Sequence, residues 1–256
     1  MDKLADEEFW NDYWTHLELP SQINPNFSFD RCIDRALSPH LRGLPAGSTL
    51  FEVGCAPGRW LAYFSKKFGL DVSGIDYSGL GVKKTHENLA ILGVKGSIIH
   101  QDFFAYKPSK KYDVVVSFGF IEHFDNADLV VKKHLDLLKP GGLLILGIPN
   151  FRGVYEPVQA LYWPQLLKKH NLGIMEPAFF RRLAEKNGLE VLACGYVGGF
   201  EPTLFVKPPR VGLLRNLLIR APLAVLRRVR SLQLFDGINH PFFSSYILAV
   251  MRSPPK

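Results

Sequence analysis

The chain has 256 residues, 47% of them hydrophobic and 21% charged, which suits one α/β domain with additions. No run of about 18 uncharged apolar residues occurs, so no membrane-spanning helix is expected; residues 237–251 come nearest and contain His240 and Pro241. The N-terminus lacks a basic stretch followed by an apolar core, so no signal peptide is read; the sparse, unpaired cysteines are what lead to the expectation of a reducing, cytoplasmic setting.

The three cysteines, Cys32, Cys55 and Cys194, are widely spaced and form no CxxC pair. A disulfide framework or zinc site is not expected, and no metal is called for. The net charge of +7 is concentrated late in the chain. Between Pro202 and Phe235 there is no acid, while Lys207, Arg210, Arg215, Arg220, Arg227, Arg228 and Arg230 supply seven positive charges. The remainder is balanced, which argues for a local basic patch rather than a body-wide nucleic-acid surface.

Two helices are expected first, over 6–17 and 29–41. The former is rich in aromatics: Phe9, Trp10, Tyr13 and Trp14. A Pro/Gly linker at 43–47 leads into strand–helix alternation, the pattern of a parallel sheet with crossover helices. Strands are read at 49–53, 71–75, 96–100, 112–117 and 143–148, and helices at 58–68, 79–92 and 126–138. Residues 150–176 are aromatic and irregular, with a short helix expected over 158–170. Pro177 fits the first position of the next helix. A sixth strand follows at 189–196, and a last one at 245–251. The division is a single domain over 1–256. It comprises a helical cap (1–45), a core (46–150), a substrate-side insertion (151–176) and a basic helical insertion (202–240). The ligand crevice belongs at the carboxyl ends of the first and fourth strands.

The stretch Leu50-Phe51-Glu52-Val53-Gly54-Cys55-Ala56-Pro57-Gly58 ends a buried strand in a glycine-bounded turn before a helix. Free amides and the helix dipole there favour a carboxylate or phosphate. A dinucleotide fingerprint would place a small residue after Gly58, where this chain has Arg59. Glu52 stands two residues before the first glycine, and acids follow the next two strands at Asp76 and Asp102.

In these features the chain resembles the class I S-adenosylmethionine-dependent methyltransferases, in the group acting on small molecules and quinone precursors. The resemblance runs over about 50–196. Glu52 to Gly58 is similar to the first motif of that family, with Ala56 replacing the usual middle glycine. Gly74-Ile75-Asp76-Tyr77-Ser78 resembles the second, Gln101-Asp102-Phe103 the third, residues 112–117 the fourth strand, and Leu138-Lys139-Pro140-Gly141-Gly142 the turn into the fifth. The resemblance implies a Rossmann-like, seven-stranded, mostly parallel sheet with helices on both faces. It adds an N-terminal helical lid and a helical insertion before an antiparallel last strand. It implies S-adenosylmethionine as cofactor and S-adenosylhomocysteine as product. Asp76 would hold the ribose hydroxyls, and Asp102 with the Phe103 backbone the adenine. Glu52, Gly54, Cys55, Gly58, Tyr77, Ser117, Phe118 and Trp14 complete the expected cofactor contacts. Asp76 could instead only cap a helix, Asp102 only shape a turn, and Cys55 only pack.

Methyl transfer needs alignment in a dry pocket, sometimes with removal of a proton. Glu122-His123 resembles the Glu-His pair of the small-molecule group, which makes His123 the candidate general base; its alternative is to shape the loop. His170 and His240 are weaker candidates. No Asn/Asp-Pro-Pro-aromatic motif follows the fourth strand, which disfavours methylation of base amines. Trp10 and Trp14 share one helix face, as packing or as a lid. Phe151, Tyr155, Tyr162 and Trp163 are candidates to line an apolar acceptor pocket. The expected function is O-methylation of a small aromatic, sugar or lipid-like acceptor. The alternatives are an RNA or protein methyltransferase docking through the basic segment, and a non-catalytic cofactor-binding protein. Residues 210–230 could pack on the domain or touch an anionic membrane peripherally.

Overall fold

The computed structural model describes residues 3–204 and 237–255, with Val225 and Arg228 between them. Its strands are β1 (Thr49–Val53), β2 (Asp71–Asp76), β3 (Gly96–His100), β4 (Tyr112–Phe118), β5 (Leu138–Pro149), β6 (Glu190–Val197) and β7 (Tyr246–Arg252). They form one sheet in the order β3-β2-β1-β4-β5-β7-β6. β1 to β5 pair in parallel, and β7 runs antiparallel to both β5 and β6. The order reverses between β1 and β4, so the crevice opens at their carboxyl ends, as read from the alternation.

Side-chain alternation along β1 explains why both faces are covered. Phe51 and Val53 enter a core with Ile75, Val115 and Leu144 on one face, while Leu50 joins Val72, Val114 and Leu143 on the other. The first face is covered by α5 (Ala127–Asp136), α6 (Tyr155–Tyr162), α7 (Pro164–Leu167) and α8 (Pro177–Lys186). The second is covered by α2 (Ser28–Leu41), α3 (Arg59–Phe68) and α4 (Gly79–Ile91). Each fully buried Leu, Val or Phe contributes about 1.5–3 kcal/mol relative to exposure. α1 (Glu7–Thr15) joins neither layer fully; it lies on α4 near the crevice.

The helix starts follow local chemistry. Asp6 caps α1 by accepting from the Phe9 amide at 2.9 Å, Ser78 caps α4 from Gly81 at 2.9 Å, and Asn126 caps α5 from Leu129 at 3.1 Å. Pro177 opens α8 at its first position. The amino ends of the strands are tied separately. Asp113 accepts from the Thr49 amide at 2.9 Å and hydroxyl at 2.7 Å, and pairs with Lys139 at 2.9 Å. The Lys139-Pro140-Gly141-Gly142 turn therefore clamps the sheet far from the crevice.

Two expectations are corrected. The single helix over 158–170 is two helices, α6 beginning at Tyr155 and α7 ending at Leu167. Trp163 leaves the helical region at φ −153° because it precedes Pro164, while Pro157 is tolerated in the first turn of α6. The fifth strand also starts earlier, at Leu138 instead of 143. The basic helical insertion expected over 202–240 lies, apart from 202–204, Val225, Arg228 and 237–240, outside the described residues. Among the described residues, no helix is long and apolar enough to cross a membrane.

Candidate functional site

The chain leaves β1 at Gly54 with φ +70° and enters α3 from Gly58 with φ +83°, backbone states that side chains with a Cβ adopt at a cost. The amides of Gly54 and Cys55 both donate to the Ile75 carbonyl, at 2.9 and 3.1 Å, which fastens the turn to β2. A Cβ at Gly54 would meet Phe120 at 2.6 Å, so the turn is open just enough for that ring to approach. Arg59 has a partner within the fold. It pairs with the buried Asp30 of α2 at 2.7 Å, which explains an arginine where a dinucleotide fold wants a small residue.

Three acids stand at the ends of β1, β2 and β3. Glu52 is 2% exposed, and its Oε2 has no hydrogen-bond partner among the described residues. Burial, then the neighbouring charge of Asp76, pushes it well above the usual carboxylate range, with Arg59 opposing. Asp76 accepts from the Ser78 amide at 2.9 Å and the Ala56 amide at 3.2 Å. It thereby ties the β1 turn to the β2 turn. Burial raises its pKa against those two amides. The helix-cap alternative for Asp76 is overturned, since Ser78 is the N-cap of α4. Asp102 is half-exposed, accepts from the Phe104 amide at 2.7 Å and pairs with Lys3. Burial works upward on Asp102, but Lys3 and the Phe104 amide hold it below the usual carboxylate range.

The other expected contacts divide by where their side chains point. Cys55 is 1% exposed and lies against Gly74, where a Cβ would come within 2.7 Å of its sulfur; its role is packing, and only its backbone faces the turn. Burial, then Asp76 and Glu52, pushes its thiol well above the ordinary value. Phe118 stacks on Trp60 at 4.3 Å, in the layer between α3 and the sheet. Phe103 is buried beside His134 and Phe120, while Lys133 donates to the Phe103 and Phe104 carbonyls at 3.0 and 2.7 Å. Ser117 is buried with an unpartnered hydroxyl among the described residues. The Tyr77 hydroxyl donates to the Ala5 carbonyl at 3.3 Å, with the Lys3 ammonium 4.3 Å above its ring.

The N-terminal segment covers this crevice. Trp14 is buried against Gly81 at the start of α4, and Ser78 donates to Asn11 at 2.7 Å. Lys3 bridges to Phe124, in the loop after β4. Trp10 stacks on Trp14 at 5.9 Å and meets His123 edge-on at 4.9 Å. The aromatic face of α1 therefore packs and covers at once. Lys3 and Asn11 were missed in the sequence because nothing local marks a residue whose partner lies 67 or 99 positions away.

Beyond β4, Glu122 and His123 lie in a 3-10 turn (Ile121–His123). His123 is buried, and its Nδ1 faces the Lys169 carbonyl at 2.7 Å. That bond puts the proton on Nδ1 and leaves the Nε2 lone pair bare. Burial, with His170 4.5 Å away ring to ring, pulls His123 down to about 3. Glu122 is fully buried without a hydrogen-bond partner for either carboxyl oxygen among the described residues, and burial pushes it up to about 8. Phe151 is buried against His170 at 4.7 Å, Tyr155 is buried with its hydroxyl donating to the Phe243 carbonyl at 2.9 Å, and Tyr162 and Trp163 are half-buried. His240 stacks on Phe243 at 5.2 Å as a loop-packing residue.

Comparison with known proteins agrees with the fold and gives the family. Residues 28–193, more than half of the chain, match the family described as a methyltransferase domain. A 2-methyl-6-phytyl-1,4-hydroquinone methyltransferase from Synechocystis is 33% identical over 110 residues, covering 43% of this chain and 34% of that protein. A ubiquinone biosynthesis O-methyltransferase from Coxiella burnetii is 28% identical over 154 residues, covering 57% of this chain and 65% of that protein. The matched stretch thus spans from a third to just under two thirds of these relatives. A methyltransferase from Geobacter sulfurreducens, solved with S-adenosylhomocysteine, shares the fold at a TM-score of 0.60 and 19% identity, covering 99% of this chain and all of that one. With its sheet order, glycine turn and three strand-end acids, the chain belongs to the class I S-adenosylmethionine-dependent methyltransferases.

Proposed function

We propose that the protein transfers the methyl group of S-adenosylmethionine to a hydroxyl of a small aromatic, sugar or lipid-like acceptor. The observation that carries the reading is the convergence of Glu52, the Gly54–Gly58 turn, Asp76 and Asp102 on one end of the sheet, opposite the His123 cluster. The residues fit the cofactor. Glu52 has an orphaned buried oxygen, and at Gly54 a Cβ would meet Phe120 at 2.6 Å.

When bound, the cofactor supplies a methyl group on a positively charged sulfur. The chain's task is to hold and align. Asp76 can accept from two ribose hydroxyls while its amide bonds keep it in place. Asp102 can accept from an amino group on the adenine once Lys3 yields, with the Phe103 backbone beside it. Glu52 and the turn amides suit the amine and carboxylate of the methionine end. Trp14, Tyr77 and Ser117 line the approach, and Cys55 and Phe118 contribute through backbone alone. Trp10 and Phe151 exclude water where the acceptor would lie. His123 offers Nε2 as an acceptor for the substrate hydroxyl. Its low basicity while buried makes it chiefly an orienting group until a hydroxylated ligand enters.

The test is a radiolabelled methyl-transfer assay over phenols, catechols, sugars and polyprenyl phenols, with calorimetry of S-adenosylhomocysteine and NAD. The reading requires homocysteine-adduct binding, no detectable NAD binding, and label in at least one hydroxylated class. Retained cofactor binding with no transfer to any class would favour a non-catalytic role. The names of the relatives, a hydroquinone and a ubiquinone methyltransferase, support the aromatic members of the panel. The seven basic residues of 202–235 extend the reading to an acceptor taken from an anionic membrane surface. Co-sedimentation with anionic and neutral vesicles tests this, comparing wild type with Arg215, Arg220, Arg227 and Arg228 changed to Ser. Wild type left in the supernatant at low salt removes it.

A further inference from the structure

We propose that Glu122, His123 and His170 form a binding site for one divalent transition-metal ion. The carboxylate and one ring nitrogen from each imidazole lie within 4.8 Å of one another. Glu122 Oε1 and His123 Nε2 are 3.7 Å apart. Ions of this class bind imidazole nitrogen and carboxylate oxygen at about 2.0–2.2 Å, which places ligand atoms roughly 3.3 Å apart in a tetrahedron. Small side-chain rotations close the remaining distance.

The surroundings of these ligands are those a metal site requires. His123 directs Nδ1 at the Lys169 carbonyl at 2.7 Å, and His170 directs Nδ1 at the Leu166 carbonyl at 2.8 Å. Each bond fixes the proton on Nδ1 and leaves Nε2 free to ligate, the outer-shell arrangement of metal-bound histidines. Glu122 is 0% exposed, and neither carboxyl oxygen has a hydrogen-bond partner among the described residues. Buried polar groups are normally satisfied, so an orphaned carboxyl with a ring nitrogen of both His123 and His170 within 4.8 Å marks a missing partner. A cation supplies it.

The two ligand-bearing segments are also stapled together without an ion. The Asn171 amide donates to the Glu122 carbonyl at 2.6 Å, and its side chain donates to the Phe124 and Asp125 carbonyls at 3.1 Å each. Trp10 closes over His123, and Phe151 packs on His170 at 4.7 Å. The Lys169 charge, which acts on His123, pairs with Asp6 at 3.6 Å. Two imidazoles and one carboxylate disfavour magnesium and calcium, and with no thiolate in the set they disfavour copper(I). They suit zinc, cobalt or iron(II), with positions left for water or an oxygen of a ligand; an ion held there takes up the His123 Nε2 lone pair, so a substrate hydroxyl would meet the ion in place of that nitrogen. The expectation of no metal rested on the cysteines, which take no part here.

The experiment uses the full chain stripped with chelator and titrated with cobalt(II) and, separately, zinc, free of cofactor and acceptor. Its outcome is therefore independent of methyl transfer. Wild type should bind one equivalent and develop visible cobalt bands. Glu122→Gln and His170→Gln should each weaken binding by about a hundredfold or more, while His86→Gln, at an exposed site elsewhere, should not. X-ray absorption of the zinc-loaded wild type needs no variant and should show imidazole and oxygen ligands without sulfur. Less than stoichiometric binding by wild type, sulfur in the shell, or unchanged affinity in both ligand variants would overturn the site.

Discussion

On the β1–β3 side of the crevice the polar groups are placed by backbone; on the far side, from 118 to 176, they are placed by side chains meeting from distant parts of the chain. Gly54, Asp76 and Asp102 each follow directly from the end of a strand, and amides hold Asp76 to both neighbouring turns. Glu122, His123 and His170 meet only because Asn171 and the Lys169 carbonyl bring one loop onto another. A ligand common to many proteins can be held by strand ends that many sequences share. An acceptor peculiar to one protein is met by parts that vary. The difference predicts that damage on the first side abolishes cofactor binding, whereas damage on the second spares it and removes turnover.

The largest effect should come from Gly54→Val. The residue needs φ +70°, and its Cβ would strike Phe120 at 2.6 Å. A β-branched side chain there is strained as well as crowded. Calorimetry should find affinity for S-adenosylhomocysteine reduced by several hundredfold or beyond detection. Gly93→Ala is the control: its φ is +67°, but nothing lies within 4 Å of the added Cβ. It should lower Tm while leaving affinity alone. Equal loss of affinity in both would mean that strain at any left-handed glycine, and not the turn itself, is being measured.

His123→Ala tests the far side. Turnover on an accepted substrate should fall by about a hundredfold, with cofactor affinity nearly unchanged. A drop of only a few-fold would leave His123 as a loop-shaping residue held to the Lys169 carbonyl. A parallel loss of cofactor affinity would erase the division between the two sides.

The same division governs what the sequence reveals. The sheet was legible because β1, β4 and β5 carry short apolar runs separated by glycine and acid punctuation. The cofactor side was legible because its acids lie at fixed offsets from strand ends. Even there, sequence could not tell that the Cys55 and Phe118 side chains turn into the packing, since a residue beside a motif can face either way. Lys3, Asn11 and Phe120 escaped notice because their roles depend on tertiary contacts. The break at Trp163 was signalled by Pro164 but outweighed by the apolar pattern on either side. His170 ranks in the sequence only as a weaker candidate because Glu122 and His123, which it lies beside, belong to another loop.

Asp76→Ala should lower cofactor affinity by tenfold or more, since hydrogen bonds to a charged group contribute about 1.5–3 kcal/mol. The variant also unties the β1 turn from β2 on one side, so its Tm must be measured alongside. Unchanged affinity in a folded variant would remove Asp76 from the cofactor and leave it as a tie between turns.

The smallest effect is expected where the two sides join. His134 of α5 is fully buried under Phe103 from the cofactor side and Phe120 from the loop after β4, at 5.0 and 6.0 Å between rings. Its Nδ1 faces the Val130 carbonyl at 2.8 Å, and its Nε2 has no partner among the described residues. Burial pulls it down to about 4 against an ordinary 6.5. Above pH 6.5 the ring is neutral in folded and unfolded chains alike and contributes no pH dependence. Between 6.5 and 4 only the unfolded chain takes up the proton, so stability falls as pH falls through this window. His134→Leu keeps the volume roughly constant and removes that proton uptake. The wild type should lose on the order of 1–2 kcal/mol more than the variant between pH 7 and 5, seen as a steeper fall in Tm. His123 and His170 are present in both proteins and cancel in the difference. Parallel curves would mean that His134 is hydrated or relaxes on protonation, and that the joint between the two sides is looser than its ring contacts indicate.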